Sequence, residues 1–397
     1  MSDISELLGS LVTESSQLVS QSQSDQAVQL LKAQFETLQS HPVYLQSLGE
    51  ALLENGNLEE AQDVLTRACE LDPQASQGVE KFLYLGEIMG AKEGIELLQT
   101  GLNKLLSQMD ILKKQGISDR SQEFDDSFNL LISAYGNEKG IKEYLLKKMD
   151  QGIFAMIEIW MTDLCDELEA EQQCEQLIDQ ALVLDPENPE AWSLLASIRI
   201  SQMRNDDAIK AITKAWELFS KRKTLLEDIS NIKNESIDVS DAQMEYLELV
   251  EPIVTLAKYS MEMGLFEESI GIASSVQDIN ERSVESYYLE AFANYLNAKR
   301  IQNRLSPQDG YKVSQDFAKY PLKTNIDESD DSFVYLKEAR RALTSGFKLL
   351  QIDEVAEETD DELKKTIHSL LKQLGGPLLK EKDDSGVDET NWEAQII

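Results

Sequence analysis

The strongest constraint on what this chain can fold into is a repeat. Ala27 and Ala61 stand in matching surroundings, QAVQLLKAQFETL and EAQDVLTRACEL, 34 residues apart. A period of that length is one helical hairpin, which cannot bury its apolar face alone and must stack on its neighbours. The unit opening at Pro42 explains its own geometry. Leu45, Leu48, Gly49 and Leu52 mark a first helix, Asn55-Gly56 a turn, Ala61, Leu65 and Ala68 a second helix, and Asp72-Pro73 its end. Small residues at Gly49, Ala61 and Ala68 let the two helices approach, Leu48 and Leu65 fill the seam, Gly56 accepts positive φ, and Pro73 stops the chain from continuing as helix.

Further units keep this layout. One carries Met161, Cys174, Ile178 and Ala181 and closes at Pro186; the next carries Trp192, Leu195, Ala196, Ala208, Ile212 and Ala215; another begins near Val250 with Leu256, Ala257, Gly264, Phe266, Ser269 and Ala273. Period and layout are those of the tetratricopeptide repeat (TPR), so the expected fold is all-α, a TPR helical-hairpin solenoid. Gly94, Leu98 and Gly101 read as a second helix behind a short turn, and Gly140 to Met149 as another second helix. The expected organisation is an N-terminal segment (1–24), the repeat array (25–350) with insertions near 220–242 and 297–331, a terminal helix (351–376), and an acidic flexible tail (377–397) containing Trp392. Thr359-Asp-Asp-Glu362 reads as a capping box for that terminal helix, which runs through Leu374 and ends at Gly375-Gly376-Pro377.

Composition bears on partners. With 37 Lys and Arg against 73 Asp and Glu, the formal net charge is −36. Phosphate binding needs clustered cations, so neither nucleic acid nor an anionic membrane is an expected direct ligand. Such a surface attracts cationic partners. The three cysteines, Cys69, Cys165 and Cys174, form no CxxC pair; a disulfide framework is not expected, and Cys165 and Cys174 read as core thiols in a reducing compartment. The opening MSDISELLGSLVTESSQ lacks the basic start and apolar core of a signal peptide and no apolar run approaches the length of a membrane span, so a soluble intracellular protein is expected. Only His41 and His368 are available as histidines, neither in a catalytic pattern, and no glycine-rich phosphate cradle is present. No enzymatic activity, cofactor or metal is expected.

In a TPR array the first helix of each pair lines the groove, at motif positions two, five, nine, twelve and thirteen. Those positions read Val43, Gln46, Glu50, Leu53 and Glu54 in the first full unit, then Met156, Ile159, Asp163, Asp166 and Glu167 in the next to align cleanly. Glu190, Ser193 and Ile200 follow, then Glu251, Lys258, Met261 and Glu262. The candidate partner-binding residues are therefore Glu50, Glu54, Asp163, Asp166, Glu167, Glu251 and Glu262. Carboxylates mixed with apolar side chains suit a peptide in which Lys or Arg alternates with apolar anchors; the plainer reading is that each charge only solvates an exposed face. The Lys and Asn with which TPR clamps grip acidic chaperone tails are replaced by Gln46 and Glu50, and later by Ser193 and Ser197.

Four stretches go beyond generic repeat character: GVEKFLYLGEIMG from Gly78, MTDLCDELEAEQQCEQLIDQAL from Met161, ASIRISQ from Ala196 and VESYYLEAF from Val284. With the acidic end around Asn391-Trp392-Glu393, they resemble the fungal-type assembly chaperones dedicated to large-subunit ribosomal protein four. Thr162, Ala196 and Ala257 depart from the glycine of the repeat consensus. The resemblance implies a protein that captures newly made ribosomal protein four by its basic internal loop, one copy to one client. It implies passage between cytoplasm and nucleus and delivery of the client to pre-60S particles without ATP. The alternative is a general TPR adaptor within a multiprotein complex.

Overall fold

The computed structural model describes residues 2–117, 126–230 and 237–378. Trp392 and residues 379–397 lie outside that range, as does the middle of the insertion expected near 220–242. The described residues are helices joined by turns, with no strand among them. The chain divides into two compact units, Met1–Pro186 and Glu187–Ile397.

The first unit contains α1 (Ser2–Ser20), α2 (Ser24–Lys32), α3 (Phe35–Leu38), α4 (Pro42–Glu54), α5 (Leu58–Leu71), α6 (Glu80–Met89), α7 (Ala91–Gln115), α8 (Asp126–Tyr135), α9 (Glu138–Met161) and α10 (Ala170–Leu184). Helix α4 pairs with α5, α6 with α7, and α9 with both α7 and α10, while α1 and α2 pack against α4. Pro42 sits in the first turn of α4, where its missing N–H leaves no intrahelical bond unmade. Gly56 turns the chain at φ +74°, and Leu48 and Leu65 are fully buried in the seam behind it. A Cβ on Gly49 would lie 2.5 Å from the Leu65 side chain, and one on Gly94 would lie 2.4 Å from the Gly86 carbonyl oxygen. The α6/α7 crossing is thus a glycine-on-glycine contact, and the turn before it is the single residue Gly90. Tyr44, fully buried, donates to the Leu31 carbonyl at 2.6 Å, and burial pushes its phenol up to about 12. Where α5 ends, Asp72 accepts from the Ser76 and Gln77 amides and pairs at 2.9 Å with Lys81, whose side chain is 0% exposed. A buried pair of this kind ties the end of one hairpin to the start of the next, and loss of one partner strands the other's charge.

The second unit contains α11 (Pro189–Ser201), α12 (Asn205–Ser230), α13 (Ile237–Glu248), α14 (Val250–Glu262), α15 (Phe266–Ile279), α16 (Val284–Gln302), α17 (Gly310–Gln315), α18 (Phe333–Leu349), α19 (Asp353–Glu358) and α20 (Asp361–Gln373). Its hairpins are α11 with α12, α14 with α15 and α16 with α18, and α20 closes against α18. Asn188 caps α11 through the Glu190 and Ala191 amides. Asp360, rather than Thr359, caps α20, accepting from the Glu362 and Leu363 amides at 2.8 and 3.0 Å. The shift of one residue has a plain cause: Thr359 spends its hydroxyl on the Val355 carbonyl behind it. After Leu374 the chain turns through Gly375 (φ +93°) and Gly376 (φ +82°), and Arg340 donates to both glycine carbonyls.

Candidate functional site

The chemistry of the first unit concentrates where α4, α6 and α9 lie side by side. Repeat geometry brings residues one period apart into contact. Gln46 of α4 donates to Glu80 of α6 at 3.1 Å, and Tyr84 of α6 donates to Glu50 of α4 at 3.4 Å, each pair 34 residues apart. The step from α6 to α9 is 64 residues instead: Tyr144 donates to Glu80 through a short bond, and Gln151 donates to Glu87 at 3.1 Å. The row Glu50, Tyr84, Lys148 therefore occupies one repeat position on three successive first helices. Tyr135 at the end of α8 packs on Tyr144 with ring centroids 5.3 Å apart. The Lys148 ammonium lies 5.6 Å from the centre of the Tyr84 ring and donates to the neutral Gln151 amide at 3.3 Å.

Electrostatics follow from this crowding. Burial holds the Glu50 carboxyl above its ordinary range, repulsion from Glu80 adds to the effect, and Lys148 and the Tyr84 hydroxyl oppose it. Glu87, at the solvent edge of the face, is also raised, first by burial, with Gln151 and Lys148 opposing and Glu158 reinforcing. Burial and then the surrounding carboxylates push the Tyr84 and Tyr144 phenols upward. Three carboxylates whose partners are mainly neutral hydroxyls and amides leave a negative potential beside aromatic rings. That combination accepts a cation on two counts, by charge and by the ring face.

The residues expected to bind a partner are dispersed. Glu50 is at the centre of this face, and Glu54, the exposed last residue of α4, is within electrostatic reach of it. Asp163, Asp166 and Glu167 are not on a groove-lining helix, because α9 stops at Met161 and all three fall in the turn before α10. Asp163 accepts from the Ala91 amide at 2.9 Å, capping the start of α7; Glu167 pairs with Lys92 at 2.7 Å, and Asp166 is exposed. Met156 and Ile159, read as lining residues, are core, 3% and 6% exposed. Glu251 and Glu262 lie at the two ends of α14 in the second unit, both exposed, while Ser193 and Met261 are buried. Cys174 is a core thiol, raised to about 11 by burial, but Cys165 is exposed in the turn after α9.

Glu80, Tyr84, Glu87, Tyr144, Lys148 and Gln151 escaped the motif count. The first three were within reach of it: stepping 34 residues on from Gln46, Glu50 and Leu53 lands on them, inside the Gly78 stretch that carries the family resemblance. The α9 residues were not, because the long α7 and α8 intervene and the period is broken. Among the described residues no group of His, Cys, Asp and Glu is arranged to hold a metal ion, and no helix is long and apolar enough to cross a membrane.

Comparison with known proteins gives a consistent result. Residues 43–75 match the tetratricopeptide repeat and residues 282–388 the ACL4 C-terminal domain. A protein of Emericella nidulans described as "Probable assembly chaperone of rpl4" is 25% identical over 398 residues, spanning 97% of this chain and 86% of the relative. A Schizosaccharomyces pombe protein with the same description is 25% identical over 261 residues, 65% of this chain and 64% of the relative. The solved structure "Assembly Chaperone of RpL4 (Acl4) (Residues 1-338)" superposes with a TM-score of 0.54 at 22% identity, covering 75% of this chain and 99% of that one. The structural likeness establishes the TPR fold.

Proposed function

We infer that this chain belongs to the Acl4-type TPR assembly chaperones and that it captures newly made large-subunit ribosomal protein four, shields its basic internal loop and delivers it to pre-60S particles. The observation that carries the reading is the face built by Glu50, Glu80 and Glu87 with Tyr84 and Tyr144, in a chain similar over nearly its whole length to a relative described as an rpl4 assembly chaperone. A loop dense in Lys and Arg would otherwise collect on any RNA or aggregate with it. The carboxylates of this face hold those cations, and the tyrosine rings bury the stems that carry them.

Magnitudes are adequate to the task. A unit-charge pair at about 4 Å contributes roughly 1 to 4 kcal/mol between bulk water and a near-surface environment, so a few such pairs give useful affinity without making release impossible. The net charge of −36 steers a cationic client from a distance. Ribosomal RNA then displaces the chaperone by offering phosphates to the same cations, with no ATP and no covalent step. On this reading the protein is not an enzyme, binds one client per chain, makes no direct contact with nucleic acid or membrane, and works in cytoplasm and nucleus. Glu54, Glu251 and Glu262 contribute long-range attraction, as do Asp163, Asp166 and Glu167 from their turn.

The test is a solubility and binding assay with purified components. The chain keeps the isolated basic loop of ribosomal protein four soluble at physiological salt, with affinity falling steeply as salt rises. A protein that fails to prevent precipitation of the loop at every ionic strength is not its chaperone. Recovery from cells of many partners without ribosomal protein four would point to the adaptor instead.

A further inference from the structure

Within the acidic face one residue has the wrong sign. Lys148 is a cation over the Tyr84 ring, within electrostatic reach of Glu50 and Glu87, and it shares its repeat position with Glu50 and Tyr84. Its neighbours do not hold it as a structural ion pair. The ammonium donates to the amide oxygen of Gln151 at 3.3 Å and rests over the Tyr84 ring at 5.6 Å, and no carboxylate forms an ion pair with it among the described residues. The contrast with Lys81 is instructive, for that side chain is wholly buried and locked at 2.9 Å to Asp72. Lys148 is half-buried, on a flexible stem of four carbons, in a place where an ammonium is attracted and loosely kept.

Resting on the proposed capture of a basic client by this face, we propose that Lys148 is a tethered occupant of the client's cation site, seated over Tyr84 between Glu50 and Glu87 in the free protein and displaced when a client lysine or arginine takes its place. An internal competitor of this kind lowers the penalty of leaving a negative, aromatic cleft empty, and it weakens binding by the work of its own displacement. It selects against isolated surface cations, since a single weak contact does not repay the exchange, and in favour of a segment that brings several. An arginine displaces it best: a planar guanidinium stacks on the Tyr84 ring and forks to a carboxylate, whereas an ammonium does one or the other. The attraction Lys148 exerts on Glu50 and Glu87 in the free protein is consistent with this seat, since it opposes the rise that burial imposes on both carboxyls.

The test uses the full chain and a synthetic peptide copying the basic internal loop of ribosomal protein four. At about 0.15 M salt, Lys148→Met and Lys148→Gln each tighten peptide binding by about fivefold, the order expected for removing one near-surface cation. Lys139→Met, which removes a charge from an exposed position on the same helix (side chain 86% exposed), leaves affinity within about twofold, as screening at a distance requires. Reductive methylation followed by mass spectrometry supplies the second readout: Lys148 reacts faster in the complex than in the free chain, because displacement moves it into solvent. Unchanged or weaker binding by the two Lys148 variants overturns the inference, as does tightening by Met without Gln, an equal gain from Lys139→Met, or protection of Lys148 in the complex. Failure of the unaltered chain to bind the peptide at all defeats the chaperone reading, a different result from wild-type binding that the Lys148 substitutions leave untouched.

Discussion

The first helices of the two units are built alike and used differently. In the first unit, α4, α6 and α9 turn toward one another the carboxylates of Glu50, Glu80 and Glu87, each engaged by a tyrosine hydroxyl or an amide rather than by a cation. In the second unit, two carboxylates of α16 do meet cations. Glu285 pairs with Lys258 at 2.7 Å, and the buried Glu290 meets Arg341 at 3.5 Å and the Gln277 amide at 2.7 Å. The ends of α14 and α16 are then covered by the segment before α18. Ser314 donates to the Met261 carbonyl, Lys299 to the Phe317 carbonyl at 2.6 Å, and Gly264 and Gly310 meet backbone to backbone. Hence a chain-wide excess of negative charge does not locate a site. The candidate face is where carboxylates are concentrated, partly desolvated and held in no direct ion pair among the described residues.

The largest expected effect puts that contrast at risk directly. Reversal of the first-unit face, Glu50→Lys with Glu80→Lys and Glu87→Lys, lowers affinity for the basic loop about a thousandfold, roughly 4 kcal/mol, by fluorescence anisotropy. Glu251→Lys with Glu262→Lys in the second unit changes it no more than about threefold; equal losses would erase the distinction. Next comes stability, through the buried cation of each unit. Asp72→Ala strands Lys81 without its anion and costs about 3–5 kcal/mol in urea unfolding. Lys299→Met keeps the packing over Tyr295 and Phe317 and forgoes one charged hydrogen bond to a carbonyl, for a loss of about 1–3 kcal/mol.

Acidity separates the units more finely. Because Glu50 and Glu87 are raised above their ordinary value of 4.5, the folded state holds more protons than the unfolded one between 4.5 and their shifted positions. Stability is therefore greater below that window and falls as pH rises through it. Glu50→Gln removes the penalty and raises the urea midpoint at pH 7, while weakening client binding by about three- to tenfold. Binding by the unaltered chain declines as pH falls, earlier than unshifted carboxylates would dictate, and Glu50→Gln with Glu87→Gln flattens that decline. The smallest effect belongs to the turn after α9: Asp163→Ala removes the cap of α7 at a cost of about 1 kcal/mol and leaves client affinity within about twofold.

Much of this was legible from residue type and spacing. Gly49 against Leu65, Gly56 at positive φ, and Gly94 with Leu98 and Gly101 on a second helix are local requirements of a close helical hairpin, and the structure meets each of them. Glu50 falls on the first helix of its hairpin, as the regular spacing of that unit requires. Asp163, Asp166 and Glu167 fall in a turn rather than on a groove-lining helix because the spacing from Met156, where apolar residues serve the core, runs past the end of α9. The true register, Glu80 to Tyr144 and Glu87 to Gln151, exceeds one period because the second helix α7 is overlong and α8 follows it before α9 begins. Cys165 is exposed because it too lies beyond the end of α9.

Local rules therefore dictated the hairpins, since a period of 34 residues, small side chains at crossings and glycine at turns act over a few residues and one neighbouring helix. The charge excess, a sum over side chains, likewise needed no coordinates. Which acids are partnered did depend on packing, for whether a carboxylate meets a lysine, a tyrosine or water is settled by residues 34 or 64 positions away in the chain, and no local pattern carries that distance once an insertion interrupts the period.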